Sequence, residues 1–303
     1  MSVIHDFIYS FHMPLMFIIS GYVHGKKEHF TSDQKFSGYL RKYAVDIYLP
    51  CIYFSFLYWL PKYFTLNEAN NVENFGLTSL QDMFMIPIKG YSIYWFLCTL
   101  FFVKMIHLSL EAISKRIDLN LLLWTILFVA AKFLNVRFID YTVRLSYGFY
   151  FHLGFILMRK TLITENRHPT VFHGTLLFAA GSALFLYTYF IGSGNAYTVN
   201  AEAIVLSLAM MTMFYALPVR NHFLSECGSC SMVIYVLHVH VIFAMRIIYR
   251  FLGLSASVHP SILFIPTVIL SLSIPLLVVY IYRRVKCFCW IEYIFYPGKL
   301  LRK

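Results

Sequence analysis

Apolar residues in this chain gather into nine long stretches, at about 7–24, 43–60, 91–109, 120–136, 145–163, 171–190, 199–217, 229–252 and 262–282. Each is longer than a buried strand and close to the roughly 20 residues that a helix needs to cross a bilayer. Joined by short loops, nine such spans leave no room for a sizeable soluble domain. The pattern therefore predicts an all-α fold, a polytopic integral membrane helical bundle of about nine transmembrane helices, forming one domain over residues 1–303. Pro61, Pro169 and Pro218 are expected at span ends, where proline breaks a helix at least cost. Pro14, Pro266 and Pro275 fall inside spans, where neighbouring helices can satisfy the freed carbonyls. No internal repeat, low-complexity tract or linker interrupts the series. The longest loop, Pro61–Gly90, is Asn-rich and is expected at the surface.

Composition sharpens this picture. The chain is 59% hydrophobic and 13% charged, with mean hydropathy +0.67. Soluble domains carry about a quarter charged residues, so lipid must solvate much of this surface. The net charge of +11 is spread over several loops. Alternate loops hold most of it: Lys26, Lys27, Lys35, Arg41 and Lys42 in one, then Lys115 and Arg116, then Arg159, Lys160 and Arg167, then Arg220, then the tail from Arg283 to Lys303. The loops between them hold only Lys62, Lys89, Arg137 and Arg144. This alternation follows the positive-inside rule and places the C-terminus in the cytoplasm. Basic residues scattered in this way form no single patch for a nucleic acid. With nine spans the N-terminus falls outside, although Met1–Asp6 carries neither a signal peptide nor a basic flank.

Short motifs then add chemistry. The first stretch contains Phe11-His12-Met13-Pro14-Leu15 and Ser20-Gly21-Tyr22. Further along stand Tyr39-Leu40-Arg41-Lys42, Tyr48-Leu49-Pro50, Tyr94-Trp95-Phe96-Leu97, the aromatic, glycine-containing Gly148–Leu157, Ser231–His238 reading SMVIYVLH, and Tyr296-Pro297-Gly298-Lys299. Taken in this order, the motifs resemble the membrane-bound acyltransferase family 3, whose members acylate sugars and glycans. The resemblance covers most of the chain. It implies ten spans with both ends in the cytoplasm, so the family's first helix would precede Met1. That helix usually carries an arginine and a histidine thought to be catalytic.

The resemblance also implies an acyl donor, acetyl-CoA, and a glycan or lipid-linked sugar as acceptor. Acyl transfer to a hydroxyl needs a base, and imidazole suits the task because its pKa lies near neutrality. His12 sits five residues into a span entered from outside, roughly 8 Å deep at 1.5 Å per residue. It is the candidate base or acceptor-positioning group; the structural alternative is a hydrogen bond across the Pro14 kink. Arg41 and Lys42 are candidates for the donor's phosphates, or else ordinary topology anchors. Trp95 could stack on a sugar ring, whereas Tyr91 and Tyr94 beside it read as an interfacial aromatic belt. His238 matches the family motif and is assigned to shaping the site. His240, two positions on, points to another face and is expected to pack between helices; His152 is a weaker candidate. Lys104, Lys132, Glu202, Arg246 and Arg250 are expected to snorkel from span ends.

No metal centre is expected. Cys51 and Cys98 read as small apolar fillers. Cys227 and Cys230 have a redox spacing without the strand pattern that would accompany it, and joining Cys287 and Cys289 to them in a zinc site or as lipidation sites has little support. G-x-S-x-G, P-loop, H-E-x-x-H and Rossmann patterns are absent. Two other readings stay open. Intramembrane histidines and proline-broken spans also suit a transporter or flippase for a glycan or lipid-linked sugar, and a chain without the family's first helix could be an inactive acyltransferase remnant.

Overall fold

The structure is a computed structural model that describes residues 3–27, 36–65, 94–114, 116–133, 144–163, 170–191, 196–216, 221–254, 258, 260–285, 287 and 290–302. Among these residues there is no strand. The expected loop Pro61–Gly90 lies almost wholly outside them, as do Tyr91, Pro169 and Pro218.

Within the described residues, every apolar stretch forms a helix. They are α1 Val3–Lys27, α2 Phe36–Tyr43, α3 Leu49–Thr65, α4 Trp95–Ile113, α5 Ile117–Phe133, α6 Tyr147–Ile163, α7 Val171–Ile191, α8 Ala196–Ala216, α10 Ser231–Phe251 and α11 Pro260–Arg284, with short α9 His222–Ser229 before α10 and α12 Ile291–Phe295 near the end. A wide π-helical turn, Ala44–Tyr48, joins α2 to α3. Phe36–Leu60, Trp95–Ile113, Val171–Ile191, Ser231–Phe251 and Ile262–Arg284 are each long and apolar enough to cross a membrane. Ile117–Ala130 and Ala201–Ala216 are shorter apolar helices. The second span starts earlier than its apolar pattern, because α2 and the wide turn feed directly into α3. It also continues through Pro61 to Thr65, so that proline does not end the helix. Along α11, Ile262, Phe264, Ile265, Ile269 and Leu277 all face outward. Such a face is untenable in water and ordinary in lipid.

The chain divides into two compact units. The first comprises residues 1–39 and 99–219. Here α1 packs on α6 and α8, α7 packs on α8, and α5 packs on α6. The α1–α6 contact is unusually close. A Cβ on Gly21 would overlap the Phe151 carbonyl, and one on Gly154 would overlap the Ile18 carbonyl. Two backbones thus touch at two reciprocal glycines, the small-residue packing that membrane helices favour when the hydrophobic effect cannot draw them together. Stacked rings of Phe17 and Tyr147, with centroids 4.8 Å apart, extend the contact.

The second unit comprises residues 40–98 and 220–303. The α10–α11 pair is its frame. The Tyr249 hydroxyl lies 3.1 Å from Thr267 Oγ1 and donates to the Leu263 carbonyl at 3.2 Å. Asn221 caps α9 by accepting from the Phe223 amide at 2.8 Å, which satisfies one of the orphan donors of a helix start. Arg283 at the end of α11 donates to Glu226 of α9 at 2.8 Å. The tail after α12 meets the wide turn, where a Cβ on Gly298 would overlap Asp46 Oδ1. Tyr296 donates to the Ser229 carbonyl at 3.4 Å, and burial pushes its phenol pKa up.

Candidate functional site

The first unit holds His12. Its ring is half-buried and meets the Tyr9 ring edge-on, with centroids 4.7 Å apart. Pro14 removes the N–H that would bond the Ser10 carbonyl. One residue further on, a neighbouring helix assists: the Ser207 hydroxyl of α8 donates to the Phe11 carbonyl at 3.3 Å. Beside this stretch lies Glu202 of α8, only 2% exposed. Its Oε2 is 3.0 Å from the Thr188 hydroxyl, which is shared with the Phe185 carbonyl at 2.9 Å, and Ser10 of α1 is a further partner. The expectation that Glu202 snorkels therefore fails. Hydroxyls from α7 and α1 hold its carboxyl inside the bundle, where leaving it without partners would be costly.

The second unit holds the other candidates. Arg41 is exposed and Lys42 half-buried at the end of α2, one turn before the wide π-helical turn. The Lys42 ammonium stands 5.7 Å from the Tyr43 ring centroid. Trp95 opens α4 half-buried, between two residues that reach α10. Tyr94 donates to the Val236 carbonyl at 3.1 Å and lies 3.2 Å from His240 Nδ1. Phe96 meets the Tyr235 ring at 5.5 Å. Tyr94 is fully buried, which corrects its assignment to an interfacial belt: its hydroxyl reaches a carbonyl on another helix, so the ring is drawn inward. His238 is half-buried, with Nδ1 3.0 Å from the Ile234 carbonyl of its own helix and its ring 5.8 Å from that of Tyr235. His240 packs between helices as expected, edge-on to Tyr58 at 5.6 Å. Tyr94 and Phe96, on either side of Trp95, thus tie the start of α4 to α10, the helix that carries His238, while His12 belongs to the other unit.

One group was not assembled from the sequence, which singled out only His152 of its members. His24 of α1, His107 and Glu111 of α4, and His152 of α6 converge in the first unit. The three histidines are at least 98% buried. His107 Nδ1 lies 3.4 Å from His152 Nδ1, and His107 Nε2 lies 3.9 Å from Glu111 Oε2. The readable signal was the spacing of His107 and Glu111, one turn apart on one face of an apolar helix.

An all-α bundle with outward apolar faces, buried imidazoles and a basic helix end defines a class, the polytopic membrane proteins that carry ionisable side chains within their helices. This chain belongs to acyltransferase family 3: the family model, described as an acyltransferase domain, matches residues 1–282. It is accordingly a membrane acyltransferase. No curated protein and no solved structure matches it significantly.

Proposed function

We propose that the protein transfers an acyl group, most simply acetyl, from acetyl-CoA to a hydroxyl of a surface or secreted glycan. The observation that carries this reading is the family match across residues 1–282, together with His12, a half-buried imidazole within an apolar helix. In the reaction the acceptor oxygen attacks the thioester carbonyl, forming the C–O ester bond as the C–S bond breaks. His12 takes the hydroxyl proton, or holds the acceptor for its removal, and that proton ends on the departing CoA sulfur. Arg41 and Lys42 are assigned to the donor's phosphates. The exposed guanidinium of Arg41 suits bidentate recognition, and Lys42 adds a point charge. Trp95 and His238 are assigned to shaping the acceptor side. On this reading the C-terminal tail and Arg41 face the cytoplasm, where acyl-CoA is made, and the acceptor is presented from the opposite side.

The test is direct. Purified protein, incubated with labelled acetyl-CoA and candidate glycans, should yield labelled glycan. His12→Ala should abolish transfer while leaving membrane insertion intact. Transfer at the unmodified rate by that variant would remove His12 from the mechanism. Movement of intact glycan across vesicles, without any labelling, would favour a transporter instead.

A further inference from the structure

We propose that His24, His107 and Glu111 form a binding site for a divalent metal ion of the zinc class. Each residue presents one ligating atom, and these atoms lie within 4.8 Å of one another. Ligands on a tetrahedral zinc ion, at bond lengths of 2.0–2.2 Å, stand roughly 3.3 Å apart. Side-chain shifts of about an ångström would close the set to that geometry. Two imidazoles and one carboxylate make the donor set of open zinc sites, in which a fourth position is left for water or a substrate oxygen.

Burial and second-sphere geometry support this assignment. His24 is 2% exposed and His107 fully buried, and the Phe151 and Phe155 rings wall the group at centroid distances of 4.6–6.1 Å. A polar ring in such a place is costly unless something engages it. Yet His107 Nε2 makes no hydrogen bond among the described residues, and the Glu111 carboxylate at 3.9 Å is beyond hydrogen-bond reach. Meanwhile His107 Nδ1 faces His152 Nδ1 at 3.4 Å. With His107 donating through Nδ1–H, its Nε2 carries a bare lone pair on the side of Glu111. A ligating histidine is commonly fixed in this way, its second nitrogen held by an outer partner that sets tautomer and ring angle. His152 is therefore a positioning residue. The ligands come from α1 and α4, and their support comes from α6, the helix that meets α1 through Gly21 and Gly154.

The site stands independently of the acyltransfer reading. To test it, the full chain would be purified in detergent, stripped with a chelator, dialysed against zinc and washed, and its metal counted by mass spectrometry. About one ion per chain is expected, and cobalt in its place should give the intense visible bands of a four-coordinate ion. His24→Gln and Glu111→Gln should each weaken zinc binding at least tenfold. His152→Ala should cost about 10–100-fold in affinity and shift the cobalt bands. His152→Asn, which keeps an acceptor for Nδ1–H, should recover most of both. Variants that elute as a single species carry the test, so it does not depend on His107→Ala folding. Less than about a tenth of an ion per chain, against the one ion that a formed zinc site holds, would overturn the proposal. So would undiminished binding in the His24→Gln/Glu111→Gln double variant, which would place the ion on thiols such as Cys227 and Cys230.

Discussion

At the scale of single residues, hydroxyls and carbonyls of neighbouring helices keep some polar side chains inside this bundle. Glu202 shows how. Thr188 and Ser10 give its carboxyl somewhere to bond. Glu202→Gln keeps a carbonyl acceptor and should leave the melting temperature in detergent almost unchanged. Glu202→Leu removes the acceptor from both hydroxyls and should lower stability by about 1–2 kcal/mol, somewhat above the usual cost of one interhelical hydrogen bond in a membrane protein. Equal melting temperatures for the two variants would show that the carboxyl's partners contribute nothing. Tyr94 makes the same point from the other unit. A tyrosine at a helix start reads as an interfacial anchor, but one hydroxyl proton aimed at the Val236 carbonyl is reason enough for it to turn inward.

At the scale of elements, the α1–α6 contact decides what the first unit tolerates. Alanine in place of a helix-interior glycine ordinarily stabilises by about 0.5–1 kcal/mol. Gly38 in α2 has nothing within 4 Å of where a Cβ would stand, so Gly38→Ala should follow that rule. Gly21→Ala and Gly154→Ala should reverse it, because a methyl group there meets main chain on the facing helix. A loss of about 1–3 kcal/mol is expected, as for overpacked cores, read as a lower melting temperature and a smaller monodisperse fraction. If all three substitutions behaved alike, the close approach of these two helices would be refuted. The wide turn at Ala44–Tyr48 belongs to this scale too. It begins just after the turn of helix that carries Arg41 and Lys42, and π-helical turns are frequent at functional sites.

At the scale of the whole molecule, the distribution of charge predicts orientation. An epitope appended after Lys303 should be reached by antibody only after the membrane is permeabilised, and one inserted at Lys89 without that step. Access to the C-terminal tag in intact cells would invert the assignment of donor and acceptor sides. The long helices were legible because a bilayer imposes one length and one polarity on every span, so that apolar run length identified them, whereas the short α2, α9 and α12 went unseen. The boundaries near α2 and Pro61 were not, since helix continuation there depends on neighbours rather than on apolarity. Motif residues such as His12, Trp95 and His238 could be named, but their surroundings could not. His24 and His107 were overlooked because each is a lone histidine in its own apolar stretch. Only packing makes them neighbours of Glu111 and His152, and the contact between α1 and α6 leaves no trace in period or composition beyond two ordinary-looking glycines.

Those glycines carry a genetic corollary. What crowds position 21 is a peptide carbonyl, a group every amino acid possesses, so no replacement at Phe151 can make room for a bulkier neighbour. A screen for restored function starting from an alanine at position 21 should therefore return true reversions, and compensating changes at the facing position should be missing from its yield.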